Sequence, residues 1–92
     1  MAESTRLRHG RRYSLTAGRV AVVFLSDPSV DGRPVRAELS VAPWGSASQR
    51  VTVGLGDRFM IGAETWVLDN VHNIGTYEYV VSISRVSDEP TG

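Results

Sequence analysis

From Arg12 to Val86 apolar and polar side chains alternate with a period of two. That is the repeat of a strand with one face on a core and the other in water. Seven segments follow it. Arg12 to Thr16 places Tyr13 and Leu15 on one face. Arg19 to Ser26 is apolar on both faces, with Val20, Val22 and Phe24 opposite Ala21, Val23 and Leu25. That is the pattern of a central strand or one covered on both sides. Pro34 to Ala42 alternates most cleanly: Val35, Ala37, Leu39 and Val41 point inward, Arg36, Glu38 and Ser40 outward. Gln49 to Gly54 buries Val51 and Val53. Arg58 to Ile61 is short. Thr65 to His72 sends Trp66 and Leu68 to one side and Val67 and Val71 to the other. Tyr77 to Val86 buries Tyr77, Tyr79, Val81 and Ile83.

The segments between them are turns. Asp27 to Pro34 is dense in Asp, Pro, Ser and Gly, as a hairpin loop requires. Pro43 to Ser48 is a second loop, Asn73 to Thr76 closes the last hairpin, and Asp57 can accept hydrogen bonds from nearby backbone N–H groups. Strands at this spacing predict an all-β fold. It is an antiparallel sandwich or a partly closed small barrel of six or seven strands. Thirteen valines, stiff at χ1, agree with strands. The polar, aperiodic ends predict a flexible basic arm over residues 1–10, a single β-domain over residues 11–86 and a flexible tail over residues 87–92.

Ninety-two residues hold one domain and one modest core. Cysteine is absent, which excludes disulfides, thiolate catalysis and thiolate metal centres. All ten basic residues are arginine, a bias that points to GC-rich codons in a bacterial source. The longest wholly apolar run, Val20 to Leu25, is far short of the roughly 20 residues of a membrane helix. With no leader recognisable near Met1, a soluble cytoplasmic protein without a membrane partner is expected.

Gly56-Asp57 leads into an apolar strand that ends at Gly62, and Thr65-Trp66 opens the next one. This Gly-Asp…Gly-x-x-Thr-Trp hairpin, with Leu7-Arg8-His9-Gly10 near the start, resembles a family of small uncharacterised actinomycete proteins of about this length. The resemblance implies a small β-fold. That family carries no assigned activity, so no catalytic residues follow from it.

Ten arginines balance ten acids, but unevenly. Residues 1–20 hold five arginines and one acid; residues 57–92 hold six acids and two arginines. Arg6, Arg8, Arg11 and Arg12 form a candidate anion contact through their forked donors. The competing expectation is that they pair with the acidic half of this chain or of a second copy. The arm lacks the interleaved aromatics of a single-strand binder, which argues against nucleic acid.

Catalytic and metal chemistry find little support. Gly-x-Ser-x-Gly does not occur. Asp57, Glu64, Asp69 and Glu78 fall where turns and solvent faces put carboxylates. Asp69 and His72, three apart in a strand, fall on opposite faces and make no metal grip without a bulge. Gly54-x-Gly56 opens no helix, so no dinucleotide cofactor is expected. The candidate contact residues are aromatic: Trp44 in its loop, with Trp66, Tyr77 and Tyr79 as the lining of a cavity. Two expectations follow. One is a non-enzymatic interaction module, self-associating or serving a larger assembly as an accessory subunit. The other is a small-molecule-binding or enzymatic β-barrel.

Overall fold

The computed structural model describes residues 4–27, 30, 32–76 and 78–86, and the following concerns those residues. They form eight strands: β1 (Ser4–Arg8), β2 (Arg12–Ser14), β3 (Gly18–Leu25), β4 (Arg36–Pro43), β5 (Gln49–Gly54), β6 (Arg58–Ile61), β7 (Glu64–His72) and β8 (Val80–Arg85). Two antiparallel four-stranded sheets result, in the orders β1-β8-β7-β6 and β2-β3-β4-β5. They pack face to face as a sandwich. Within β2–β5 and within β6–β8 neighbours in sequence are neighbours in space, and β1 pairs with β8. The order is therefore that of an up-and-down ring opened at two seams, β1/β2 and β5/β6, so of the two expected architectures it is the sandwich that forms.

The inner faces carry the alternating apolar residues. Val20, Leu39 and Val53 from one sheet meet Ile61, Leu68 and Ile83 from the other, around a fully buried Trp66. At the β5/β6 seam the Gly54 N–H donates to Asp57 Oδ2 at 2.8 Å, the turn bond expected of this aspartate. The Leu15–Gly18 turn is tight: Leu15 N–H donates to Gly18 O at 2.7 Å. A Cβ on Gly18 would collide with the Ala42 carbonyl oxygen and lie 2.7 Å from Pro43 Cα, so the close approach of β3 to β4 requires glycine there.

Four expectations are corrected. Ser4 to Arg8 is a strand and not part of a free arm. Thr5 and Leu7 pair with Ile83 and Val81, and Leu7 is 0% exposed. Two inward residues among arginines are too short a pattern to read as alternation. The six or seven strands become eight for the same reason. Phe24 does not face the core with Val20 and Val22, because the β3–β4 register shifts between Val22 and Phe24. The bulge at Val23 swaps the faces, turning Phe24 outward at 58% exposure and Leu25 inward against the core. Finally, the β7–β8 register shifts between Leu68 and Asn70. Val71 thereby joins the core side with Leu68. The 87–92 tail lies outside the described residues.

Leu7→Ala separates a core strand from a tail. Leu7→Ala is expected to lower the unfolding free energy by about 2–5 kcal/mol, a large part of what a domain this size has. The neighbouring surface change Arg6→Ala is expected to stay within about 0.5 kcal/mol. Urea titration followed by Trp fluorescence measures both, and equal small effects would return residues 4–8 to the status of a tail.

Candidate functional site

One end of the sandwich gathers the chemistry. β1 ends at Arg8 and the chain turns through His9 and Gly10, the latter at φ 78°. Opposite, the Asn73–Thr76 turn leads to Tyr79 and into β8. This turn is bonded within itself: Thr76 Oγ1 donates to Asn73 O at 2.9 Å and Asn73 Nδ2 to Glu78 O at 3.3 Å. Gly75, at φ 87°, lies against Asp27, whose Oδ2 would be 2.9 Å from an added Cβ. Gly75 thus sits beside the segment that follows β3.

His9 Nδ1 and Tyr79 Oη lie 2.6 Å apart, with the rings edge-to-face at 5.4 Å between centroids. With a neutral imidazole the hydroxyl donates to Nδ1; with a charged one Nδ1–H donates to the hydroxyl oxygen. Tyr79 is 8% exposed, and burial pushes its hydroxyl above the ordinary tyrosine range. The hydroxyl is thus held protonated and does not serve as a base.

The His9–Tyr79 pair is a partition between two cavities. On one side a cavity of about 360 Å³ is lined by Val23, Phe24 and Leu25 with Asp27, Gly75 and Thr76, and it is mainly apolar. On the other a polar cavity of about 410 Å³ is lined by Arg8, Arg11, Asn73, Glu78 and Val80. The bulge at Val23 builds the apolar side, because it is what turns Phe24 out of the core.

The residues singled out by sequence are dispersed. Tyr79 lines both cavities at this end. Trp44 stands at the other end of β3, roughly 20 Å away along the strand. Its indole N–H donates to Leu15 O at 3.2 Å and Thr16 O at 3.0 Å, and the Arg19 guanidinium lies 5.4 Å from its ring centroid. Trp66 is in the core, its N–H donating to Glu64 Oε1 at 3.3 Å. Tyr77 lies outside the described residues. The rings that are described do not share one cavity.

The four arginines are likewise spread over three surfaces. Arg8 and Arg11 border the polar cavity. Arg6 lies on the outer face of its sheet with Ser82 and Ser84, and Arg12 on the outer face of the other sheet with Arg19. The ion pairs among the described residues, Arg50–Glu38 at 3.1 Å and Arg85–Glu64 at 3.4 Å, involve none of the four. β1 does pair with the C-terminal strand, but through its backbone.

The bulge in β7 alters the reading of Asp69 and His72. It brings both to one outer face, in a depression shared with Asn70 and Ser82. Asp69 accepts a hydrogen bond from the Ser84 hydroxyl. Among the described residues, no three His, Asp or Glu side chains gather to hold a metal ion, and no helix is long and apolar enough to cross a membrane.

Sequence reasoning missed Phe24 and the use of His9. Phe24 was legible in one respect: Val22-Val23-Phe24-Leu25 has no polar residue to set its phase, and such a run tolerates a bulge.

A model of a family of unknown function matches residues 2–87, from before β1 to just past β8. The chain belongs to DUF6406. The DUF6406 match includes β1, so the family's unit begins with the strand that sequence pattern assigned to an arm. No curated protein and no solved structure matches the chain.

Tyr79 gives a pH-dependent test. The folded protein holds the Tyr79 proton to higher pH than the unfolded chain does. Its contribution is therefore complete below the ordinary tyrosine value near 10 and declines as pH rises beyond it. Tyr79→Phe is expected to cost about 0.5–1.5 kcal/mol at neutral pH, where the hydrogen bond to His9 is lost. It is also expected to shrink the fall in stability between about pH 9 and pH 11. Urea unfolding at the two pH values reads both effects; an unchanged fall would place Tyr79 in solvent.

Proposed function

We propose that this chain is a non-enzymatic binding module whose end site takes an organic anion with an apolar body. The observation that carries the reading is the meeting of two unlike cavities at the His9–Tyr79 pair. The apolar cavity falls within the range of small-ligand sites, about 300–1,000 Å³. A flat or aliphatic group there covers Phe24 and Leu25, removing apolar surface from water. An acid group on the far side of the partition reaches Arg8 and Arg11, neither of which is engaged by a carboxylate among the described residues. With a charged His9, Tyr79 accepts from Nδ1–H and its own O–H is left to orient the ligand; with a neutral one its oxygen is left to accept.

Self-association is the second reading, and the β3 edge favours it. β2 pairs only with Arg19 to Ala21, so beyond Ala21 β3 has no partner strand on that side among the described residues. The bulge at Val23 works against it, since bulges are a common way of spoiling an edge for pairing. The cavity reading therefore ranks first. A concentration series by light scattering decides the second: a strict monomer at high concentration retires it.

The first reading is tested with naphthalene-2-carboxylate and its neutral alcohol, 2-naphthalenemethanol, by calorimetry. The acid is expected to bind more tightly than the alcohol. Arg11→Ala is expected to weaken the acid about tenfold, near 1.4 kcal/mol, and to leave the alcohol unchanged. Phe24→Ser, a change at an exposed position, is expected to weaken both. Equal binding of acid and alcohol, with neither variant having an effect, sinks the proposal.

A further inference from the structure

The outer face of the β2–β5 sheet has a layout that neither the core nor the end site uses. Strand register sets it out in rows. Arg12, Ala21, Ser40 and Arg50 lie side by side across the four strands; in the next row Ser14, Arg19 and Ala42 lie across β2, β3 and β4. The centre is floored by small side chains and walled by arginines. A depression of about 150 Å³ lies there, lined by Arg12, Arg19, Ser40 and Ser48 among others. It is several times the space that one water needs, room for a compact group such as a phosphate.

The electrostatics single out two of the arginines. Arg50 is engaged by Glu38 at 3.1 Å. Arg12 and Arg19 meet no carboxylate among the described residues. The Arg19 guanidinium lies over the Trp44 ring, 5.4 Å from its centroid, a cation–π contact that uses none of its N–H groups as hydrogen bonds to an oxygen. Such an edge matches two oxygens of a phosphate. Trp44 is itself pinned by two acceptors for its indole N–H yet stays 52% exposed. A pinned, half-exposed indole beside a phosphate-sized depression is a stacking surface for a planar base.

We propose that this face binds a nucleotide, with its phosphate between Arg12 and Arg19 and its base against Trp44. The hydroxyls of Ser40 and Ser48 complete the phosphate's hydrogen bonds. The site is separate from the His9–Tyr79 end and does not rest on the function proposed for it.

The test is NMR titration of the full chain with adenosine 5′-monophosphate, inorganic phosphate and adenosine, each alone. The monophosphate is expected to move the Trp44 indole N–H and the amides of Ala21 and Ser40, and to bind more tightly than phosphate or adenosine. Arg12→Ala and Arg19→Ala are each expected to weaken it about tenfold or more. Arg58→Ala on the other sheet, and Phe24→Ser at the end site, are expected to leave it unchanged. An oligothymidylate distinguishes the source: tighter binding than the monophosphate at the same resonances identifies a single strand, equal binding a free nucleotide. Phosphate alone binding as tightly as the monophosphate overturns the nucleotide assignment. No shift on this face, or binding by both arginine variants as tight as by the unaltered protein, overturns the site.

Discussion

A strand has two faces and a period of two, so one extra residue exchanges them. Every other feature of this molecule is arranged around that constraint. A core drawn from eight short strands closes only if each keeps its apolar residues on the inner face. Two strands are too long for one phase. β3 and β7 each absorb a single residue, near Val23 and Asp69, and resume alternation on the other foot. The gain to the core is Leu25 in one strand and Val71 in the other. The cost is what is turned outward: Phe24 in β3, and the Asp69–Asn70 pair in β7. Bulges tend to mark sites for this reason, because a residue that the core cannot use is presented to the surface in a fixed place.

Most of the fold is legible in the sequence because this constraint leaves a visible trace. Pro34 to Ala42 alternates without interruption, and β4 forms there with Ala37, Leu39 and Val41 all buried. What is illegible has a physical reason in each case. β1 contributes only Thr5 and Leu7 to the inner face, and its remaining residues are polar, so its role appears only when β8 is beside it. The bulge in β3 sits in an apolar run with no polar residue to mark the phase. At the end site Tyr79 was legible as a buried aromatic, but its partner His9 comes from 70 residues earlier. Trp66 and Trp44 lie in different layers, which composition does not show because it names an aromatic ring without saying which layer holds it. A strand Trp flanked by inward Leu68 goes to the core; a loop Trp stays near water.

The ring-like strand order has consequences for where ligands can reach. Consecutive strands share a sheet except at two places, the β1/β2 and β5/β6 seams, where the chain passes between sheets. The second is sealed by short bonds: Asp57 binds Gly54, and Gly56 N–H donates to Leu68 O at 2.7 Å. The first is held more loosely, with Arg8 N–H reaching the Tyr13 hydroxyl at 3.0 Å and Arg11 N–H reaching Arg8 O at 3.4 Å. Both cavities at the His9–Tyr79 pair lie beside this looser seam.

The same topology converts the charge pattern of the chain. Along the sequence, basic residues lead and acidic ones follow. In the folded molecule the division runs between faces and rims. Asp27, Asp57 and Glu78 lie in the segments that connect strands. The described acids within strands are each taken up by a neighbour: Glu38 by Arg50, Glu64 by Arg85 and Asp69 by Ser84. Arg12 and Arg19 have no such partner among the described residues, so the β2–β5 outer face keeps positive charge that a zero net total conceals. Neutral proteins bind anions when the compensation is uneven in space, and the strand register, not the composition, decides where it is uneven here.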